Sequence, residues 1–250
     1  MESFSFFEYI SLGANHMSIQ EKIVNGPGYA IAPIDDLKCF EKLRDAITEK
    51  LQSNKSEIDI NELRLKMTSM SKSEINNIMI SLLSFNQASE IMLNSCKNIV
   101  KELAGDEVFV QRRANTIFNL PGKDQRRQWP HYELMSGISP FTYVIWAPFH
   151  DLDDKGGVFY INQTESFETI KKEHEQGLVN GPTILNKNYD EKPVKLKYGE
   201  VIIFSPFILH GNIDFNSNKA RIACSIRFQS IDKPLMQKNS DFYKYYKINE

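Results

Sequence analysis

Hydrophobic residues recur at two different spacings along this chain of 250 residues. In the first hundred residues they recur at helical spacing, as at Phe40 and Leu43, which predicts amphipathic helices. Further along, short runs rich in β-branched and aromatic residues alternate with turn signals, which is typical of strands. We therefore predict one domain with a mostly helical part over 1–104, a β core over 105–230 and a tail over 231–250.

Three local predictions are specific enough to test. Asp35 or Asp36 is placed to cap a helix over Leu37–Leu51, since aspartate is a preferred N-cap residue. The apolar pattern predicts one further helix over 88–103 and one strand over 108–120. Short strands separated by turns favour a mainly β (α+β) fold, namely a double-stranded β-helix, or jelly roll, flanked by helices.

His131 and Glu133 are the first candidates for chemistry, together with the distant His210. Two histidines and one carboxylate form the facial ligand set of non-haem Fe(II), which leaves other metal positions open. Residues i and i+2 of a strand point to one face, so His131 and Glu133 can reach one metal while His210 arrives from a second strand. Arg221 follows on a later strand and offers a fork for a carboxylate.

Another histidine, His150, lies in an acidic segment that also invites a metal-site interpretation. The residue two positions later is Leu152, so a carboxylate on the same face is missing. We therefore do not expect His150 to bind a metal.

Composition and charge exclude several function classes. The formal net charge of −2 and the pI near 6.2 give no support for nucleic-acid binding, which usually needs a basic patch. Cys39, Cys96 and Cys224 form no CxxC pair, which argues against a zinc ribbon or a disulfide framework and suits a cytoplasmic protein. No apolar run is long and unbroken enough to predict a membrane span.

Four segments carry a family resemblance: VQRRANTIFNLP (110–121), HYELMSGISPF (131–141), WAPFHDLDDKGGVFYI (146–161) and GEVIIFSPFILHGN (199–212). With Arg221, they resemble the phytanoyl-CoA dioxygenase-like branch of Fe(II)/2-oxoglutarate oxygenases. The closer likeness is to the bacterial "sporadic carbohydrate cluster" oxygenases.

The resemblance implies Fe(II), 2-oxoglutarate and O2 as cofactor and cosubstrates. It implies His131, Glu133 and His210 as iron ligands. It further implies that the cosubstrate is bound by Arg221, Asn115 and Asn212.

Two positions depart from the family pattern. Relatives more often have aspartate where this chain has Glu133, and the wider superfamily often has Arg-x-Ser where this chain has Ala223 two residues after Arg221. The second contact to the cosubstrate must therefore come from elsewhere, and Asn212 and Ser225 are the candidates.

The resemblance also implies a small-molecule substrate, with a sugar or nucleotide-linked sugar as the favoured class. Hydroxylation, desaturation and cyclisation remain open. The weaker candidates for substrate binding are Gln111, Arg113, Tyr143 and Arg227. The two arginines suit an anionic group, and structural ion pairs are the equal alternative.

Two other functions stay open: a jelly-roll binding module without enzymatic activity, and a jelly-roll metalloenzyme of another type. The N-terminal helical part is a candidate either for a homodimer contact or for a cover over the pocket.

Overall fold

The computed structural model describes residues 17–51, 59–83, 85, 87–121, 130–153, 158–177, 193–212, 217–236 and 241–248. It combines helices with antiparallel sheet, which confirms the predicted mixture of helix and sheet. The α-helices are α1 (Ile19–Val24), α2 (Leu37–Leu51), α3 (Ile60–Lys66), α4 (Lys72–Leu83), α5 (Ala88–Ser95), α6 (Lys97–Ala104) and α7 (Gln163–Glu175). Short 3-10 helices occupy Met67–Ser69 and Glu133–Ser136.

The two aspartates before α2 cap different helices. The Asp36 carboxylate accepts the backbone N–H of Cys39 at 2.9 Å, as predicted for the start of α2. Asp35 instead accepts the N–H of Asn98 at 2.8 Å, in the first turn of α6. The single helix predicted over 88–103 is wrong because Cys96, with φ −124° and ψ 34°, leaves the helical region between α5 and α6. Asp35 then accepts a backbone N–H in the first turn of α6. In a continuous helix, that N–H would donate to a carbonyl of the preceding turn instead.

The strands are β1 (Tyr29–Pro33), β2 (Glu107–Gln111), β3 (Asn115–Asn119), β4 (Tyr143–Pro148), β5 (Val158–Tyr160), β6 (Glu200–Phe204), β7 (His210–Asn212), β8 (Arg221–Ser230) and β9 (Tyr243–Lys247). Most form a seven-stranded sheet in the order β1-β6-β4-β8-β2-β9, with β3 also paired to β8. The short strands β5 and β7 form a second sheet. All of these pairings are antiparallel.

The long strand β8 separates the hydrophobic core from the polar interior. Alternate side chains of a strand point to opposite faces. One face packs with the helices in the main hydrophobic core, through Ile222, Cys224, Ile226 and Phe228. The other face, which we call the inner face, carries Arg221, Ala223, Ser225, Arg227 and Gln229. Nearly all of these residues are buried, so the inner face needs polar partners.

The single strand predicted over 108–120 is also wrong. The chain bends at 112–114 and continues as two strands, β2 and β3, which both pair with β8. More residues lie between Val110 and Asn115 than between their partners Phe228 and Ser225 on β8, as in a bulge. The bend interrupts the alternation that would have grouped Arg113 with Gln111 and Asn115, and Arg113 is exposed.

Candidate metal centre

His131 and His210 face each other across an antiparallel bridge. Each backbone N–H donates to the other residue's carbonyl at 2.9 Å, and the ring centroids are 4.3 Å apart. The chain stays extended through Tyr132 (φ −123°, ψ 151°), and then turns into the 3-10 helix that begins at Glu133. The Glu133 N–H is held by the carbonyl of Pro206 at 3.0 Å. His131 and Glu133 therefore reach one cluster, but the prediction that a single strand carries both is wrong, because Glu133 begins a 3-10 helix.

Three possible metal ligands converge here. Ligand atoms of His131, Glu133 and His210 all lie within 4.8 Å of one another. His210 Nε2 is 3.6 Å from Glu133 Oε1, and two ligands of one ion, each about 2.1 Å from it, are at most about 4.2 Å apart. His210 Nδ1 lies 2.9 Å from the carbonyl of Ile208. Because a carbonyl only accepts, Nδ1 carries the proton and the Nε2 lone pair faces the cluster. Two imidazoles and a carboxylate are donor types that suit a divalent transition-metal ion.

The Glu133 carboxylate is buried, with 3% of the residue exposed. Arg227 donates to Oε2 from Nε at 2.8 Å and from Nη2 at 2.5 Å. Burial by itself would raise the pKa of Glu133, but the charge and the hydrogen bonds of Arg227 hold it well below its ordinary value. The carboxylate is therefore ionised at neutral pH, as a metal ligand must be.

A hydrogen-bonded chain of side chains leads away from Arg227. Its Nη1 donates to Gln111 Oε1 at 3.1 Å, and Gln111 Nε2 donates to Asn115 Oδ1 at 3.0 Å. Three residues that the sequence suggested for substrate or cosubstrate thus meet in one network that ends at Glu133. Their roles in binding stay predictions.

Arg221 lies at the other end of the inner face and is 1% exposed. Its Nη2 donates to Asn119 Oδ1 at 2.5 Å and to Asn212 Oδ1 at 2.8 Å. The guanidinium carbon is also 5.8 Å from the centroid of the Trp146 ring. Burial lowers the pKa of Arg221 to about 10, so the side chain is still a cation at neutral pH.

A cavity of about 70 Å³ brings most of the predicted site residues together. The predicted residues that line it are His131, Glu133, His210, Arg221, Asn115, Asn212, Ser225 and Arg227. The other predicted residues, Gln111, Arg113 and Tyr143, are not among the described residues that line this cavity. Tyr143 lines a separate pocket with Phe141 and Phe207, because it lies on the opposite face of β4 from Trp146.

Sequence reasoning missed two residues of this cavity region. Asn119 pairs with Arg221 in the β3–β8 register, and its position, in steps of two from Asn115, was a usable signal. Tyr160 pairs with His210 in the β5–β7 register, and its ring stacks on the His210 ring at 5.4 Å and 9°. Its sequence neighbourhood offers no such signal, because the contact depends on how β5 meets β7.

Within the described residues, His150 is not a member of the metal-ligand cluster. Its Nε2 accepts the backbone N–H of Ile222 at 3.2 Å, and its Nδ1 lies 2.7 Å from the carbonyl of Asp151. Burial, with a smaller contribution from the charge of Arg64, lowers the pKa of His150 to about 4. The ring is therefore neutral and anchors the start of β8.

Comparison with known proteins gives a fold likeness only. No protein-family model matches the chain, and no curated protein matches its sequence. Two solved structures of the non-heme monooxygenase ThoJ match with a TM-score of 0.52 each, one as a nickel complex and one in the apo form. They are 14% and 12% identical, and each match covers 85% of this chain and 77% of the other.

Weaker matches include HygX from Streptomyces hygroscopicus with nickel and 2-oxoglutarate bound, which is 9% identical with a TM-score of 0.48 over 86% of this chain and 87% of HygX. At these identities the likeness establishes a shared fold with ThoJ and no more.

Within the described residues, no helix is long and apolar enough to cross a membrane.

Proposed function

We propose that this protein is an Fe(II)- and 2-oxoglutarate-dependent dioxygenase that oxidises a small molecule, built on a jelly roll. The observation that carries the proposal is the placement of His131, Glu133 and His210 in one small cavity with the buried cation Arg221. Two histidines with one carboxylate are the facial ligand set of non-haem Fe(II), which leaves metal positions open for 2-oxoglutarate and O2. A guanidinium beside them suits the distal carboxylate of 2-oxoglutarate.

Bound Fe(II) and 2-oxoglutarate would supply the oxidising power, by coupling reduction of O2 to decarboxylation of the cosubstrate. The protein's own residues hold and shield the reactants. His210 presents Nε2 because Ile208 fixes its tautomer. Val144 and Trp146 form apolar parts of the cavity wall, and the Trp146 ring shields Arg221 from water.

Asn212 is the better of the two candidates for the second cosubstrate contact. The inner face carries Ala223, not serine, two residues after Arg221. Asn212 is already hydrogen-bonded to Arg221, whereas Ser225 lies further along β8 opposite Asn115. An asparagine held by the arginine can donate its amide N–H to the same carboxylate.

For the substrate, we propose a sugar or nucleotide-linked sugar in the cytoplasm, with hydroxylation as the reaction. This step rests on the sequence resemblance and not on the fold. Arg113 is the remaining candidate for an anionic substrate group, since it is exposed beside the β2–β3 bend, whereas Arg227 is engaged with Glu133.

The test is an anaerobic titration of purified protein with Fe(II) and then 2-oxoglutarate, followed by the visible absorption band of the chelate. We expect a band that His210→Ala abolishes and Arg221→Ala weakens. Admission of O2 should then yield succinate in the wild type, with turnover stimulated by the correct sugar substrate.

Other outcomes would point elsewhere. A folded wild type that binds neither Fe(II) nor 2-oxoglutarate would contradict the proposal and favour a binding module. Metal binding without 2-oxoglutarate binding, together with activity in the absence of O2, would identify a metalloenzyme of another type.

A further inference from the structure

The two oxygens of Glu133 have different partners. Oε1 faces His210 Nε2 at 3.6 Å, while Oε2 accepts both hydrogen bonds from Arg227. We propose that Arg227 is a positioning residue that occupies Oε2 and so presents Oε1 alone to the metal. This inference rests on the proposed function, because it assigns a task within the same metal centre.

The guanidinium is itself held in place. The backbone of Arg227 lies in the middle of the sheet, where it pairs with Val144 of β4. Its third described contact, from Nη1 to Gln111, fixes the plane of the fork, and Gln111 is fixed in turn by Asn115. The side chain is 12% exposed, so water competes little for these bonds. A rigid, planar donor can therefore direct the carboxylate, which a lysine ammonium with one charged nitrogen cannot do.

The same geometry explains why a glutamate suits this position. The backbone of Glu133 is fixed by the carbonyl of Pro206. From that fixed point, one carboxylate must reach both the cluster and the fork of Arg227. An aspartate is shorter by one carbon–carbon bond of about 1.5 Å, so it could keep the metal contact or the Arg227 contact but not both. Arg227 and the length of Glu133 therefore depend on each other.

Metal affinity is the first readout. Apoprotein is titrated anaerobically with Co(II) alone, and the dissociation constant is obtained from its visible absorption bands. We expect Arg227→Gln and Arg227→Lys each to weaken Co(II) binding by about 10- to 100-fold, the range for loss of a partner that orients a metal ligand. Glu133→Asp should lose a similar amount, and the double variant Glu133→Asp with Arg227→Lys should lose little more than either single variant.

A matched control removes another arginine fork from a carboxylate. Arg112 forms an ion pair with Asp241, with 2.7 Å between Nε and Oδ1 and 41% of the arginine side chain exposed, and it is not among the described residues that line the cavity. Arg112→Lys should leave the Co(II) affinity unchanged.

The second readout separates positioning from a structural role. In the Fe(II)–2-oxoglutarate complex, Arg227→Gln should shift the charge-transfer band to longer wavelength. The reason is that a carboxylate without its two hydrogen bonds donates more charge to the metal. A general loss of stability would lower the band's intensity without moving it.

Three results would overturn the inference while leaving the proposed function intact. One is Arg227→Lys binding Co(II) as tightly as wild type, which would show that charge suffices. Another is an unshifted band in Arg227→Gln. The third is full affinity in Glu133→Asp, which decides the question even where the Arg227 variants fail to fold. Failure of the wild type itself to bind Co(II) would instead contradict the proposed function.

Discussion

Arg221 and Arg227 lie on the same face of β8, and both are largely or fully buried, yet they are held by different chemistry. Arg227 meets the carboxylate of Glu133, so the two opposite charges form a buried pair. The hydrogen bonds described for Arg221 go to the neutral amide oxygens of Asn119 and Asn212. Partner chemistry, and not residue type or burial, therefore suits one arginine to shaping a metal ligand and the other to binding an anion.

The largest expected effect is on folding stability without metal. Arg227→Met leaves the buried charge of Glu133 unpaired and should lower the free energy of unfolding by about 3–5 kcal/mol. Arg221→Met leaves two neutral amide oxygens without a donor and should cost about 1–3 kcal/mol. Urea unfolding of the apoproteins measures both.

A double variant sharpens this first prediction. Glu133→Leu combined with Arg227→Met removes both charges and should recover much of the lost stability. If Arg221→Met proved the more damaging single variant, the contrast between the two ends of β8 would not hold.

The second effect is a loss of stability in acid at the Arg221 end. The folded pKa of His150, about 4, lies below its ordinary value of 6.5, so the unfolded chain binds the proton more readily. The neutral, buried His150 therefore stabilises the folded state fully above pH 6.5. As the pH falls towards 4, the free energy of unfolding should decrease by about 3 kcal/mol. Unfolding free energies measured at several pH values should show this slope.

Glu133 behaves differently over that range. Its pKa is held below its ordinary value of 4.5, so its stabilisation is present above pH 4.5 and lost only in stronger acid. His150→Gln should therefore flatten the stability curve between pH 6.5 and 4.5. An unchanged slope would place the acid sensitivity outside His150.

The third effect separates the two arginines by ligand. Arg221→Lys should weaken 2-oxoglutarate binding by about 10- to 100-fold, since a charge-assisted hydrogen bond is worth about 1.5–3 kcal/mol, and leave the Co(II) affinity near the wild-type value. Arg227→Lys should do the reverse. Parallel titrations with Co(II) and with 2-oxoglutarate test this opposite pattern. If both variants weakened the binding of both ligands equally, the two arginines would not have distinct roles.

The smallest effect concerns the residues behind each arginine. Asn119→Ala and Gln111→Ala each remove one hydrogen bond to the arginine while the arginine keeps another partner, so each should cost about 1 kcal/mol, or about fivefold in affinity. Asn119→Ala should act on 2-oxoglutarate and Gln111→Ala on Co(II). Isothermal titration resolves a difference of this size, and a crossed result would show that the two networks are connected.

Much of this arrangement could be predicted from local sequence. The alternation along Arg221–Ser230 separates the apolar core face from the polar inner face, because the strand period of two is a local property. The pair His131 and Glu133, with the distant His210, is recognisable because few chemistries use that set. Predictions failed where the backbone departs from regular geometry, at Cys96 and at the bend over 112–114.

By itself, the sequence determined which residues are candidates for binding a metal or an anion and which face of each long strand is polar, since residue type and periodicity are local. Only the tertiary structure decided that Arg227 holds Glu133 and that Asn119 holds Arg221. The stacking of the Tyr160 ring on the His210 ring was likewise decided only by the tertiary structure. These contacts join residues far apart in the chain, and they depend on strand register and on the bend between β2 and β3. A short hydrogen bond requires its partners to be placed within a few tenths of an ångström, and that placement is a property of the packed sheets.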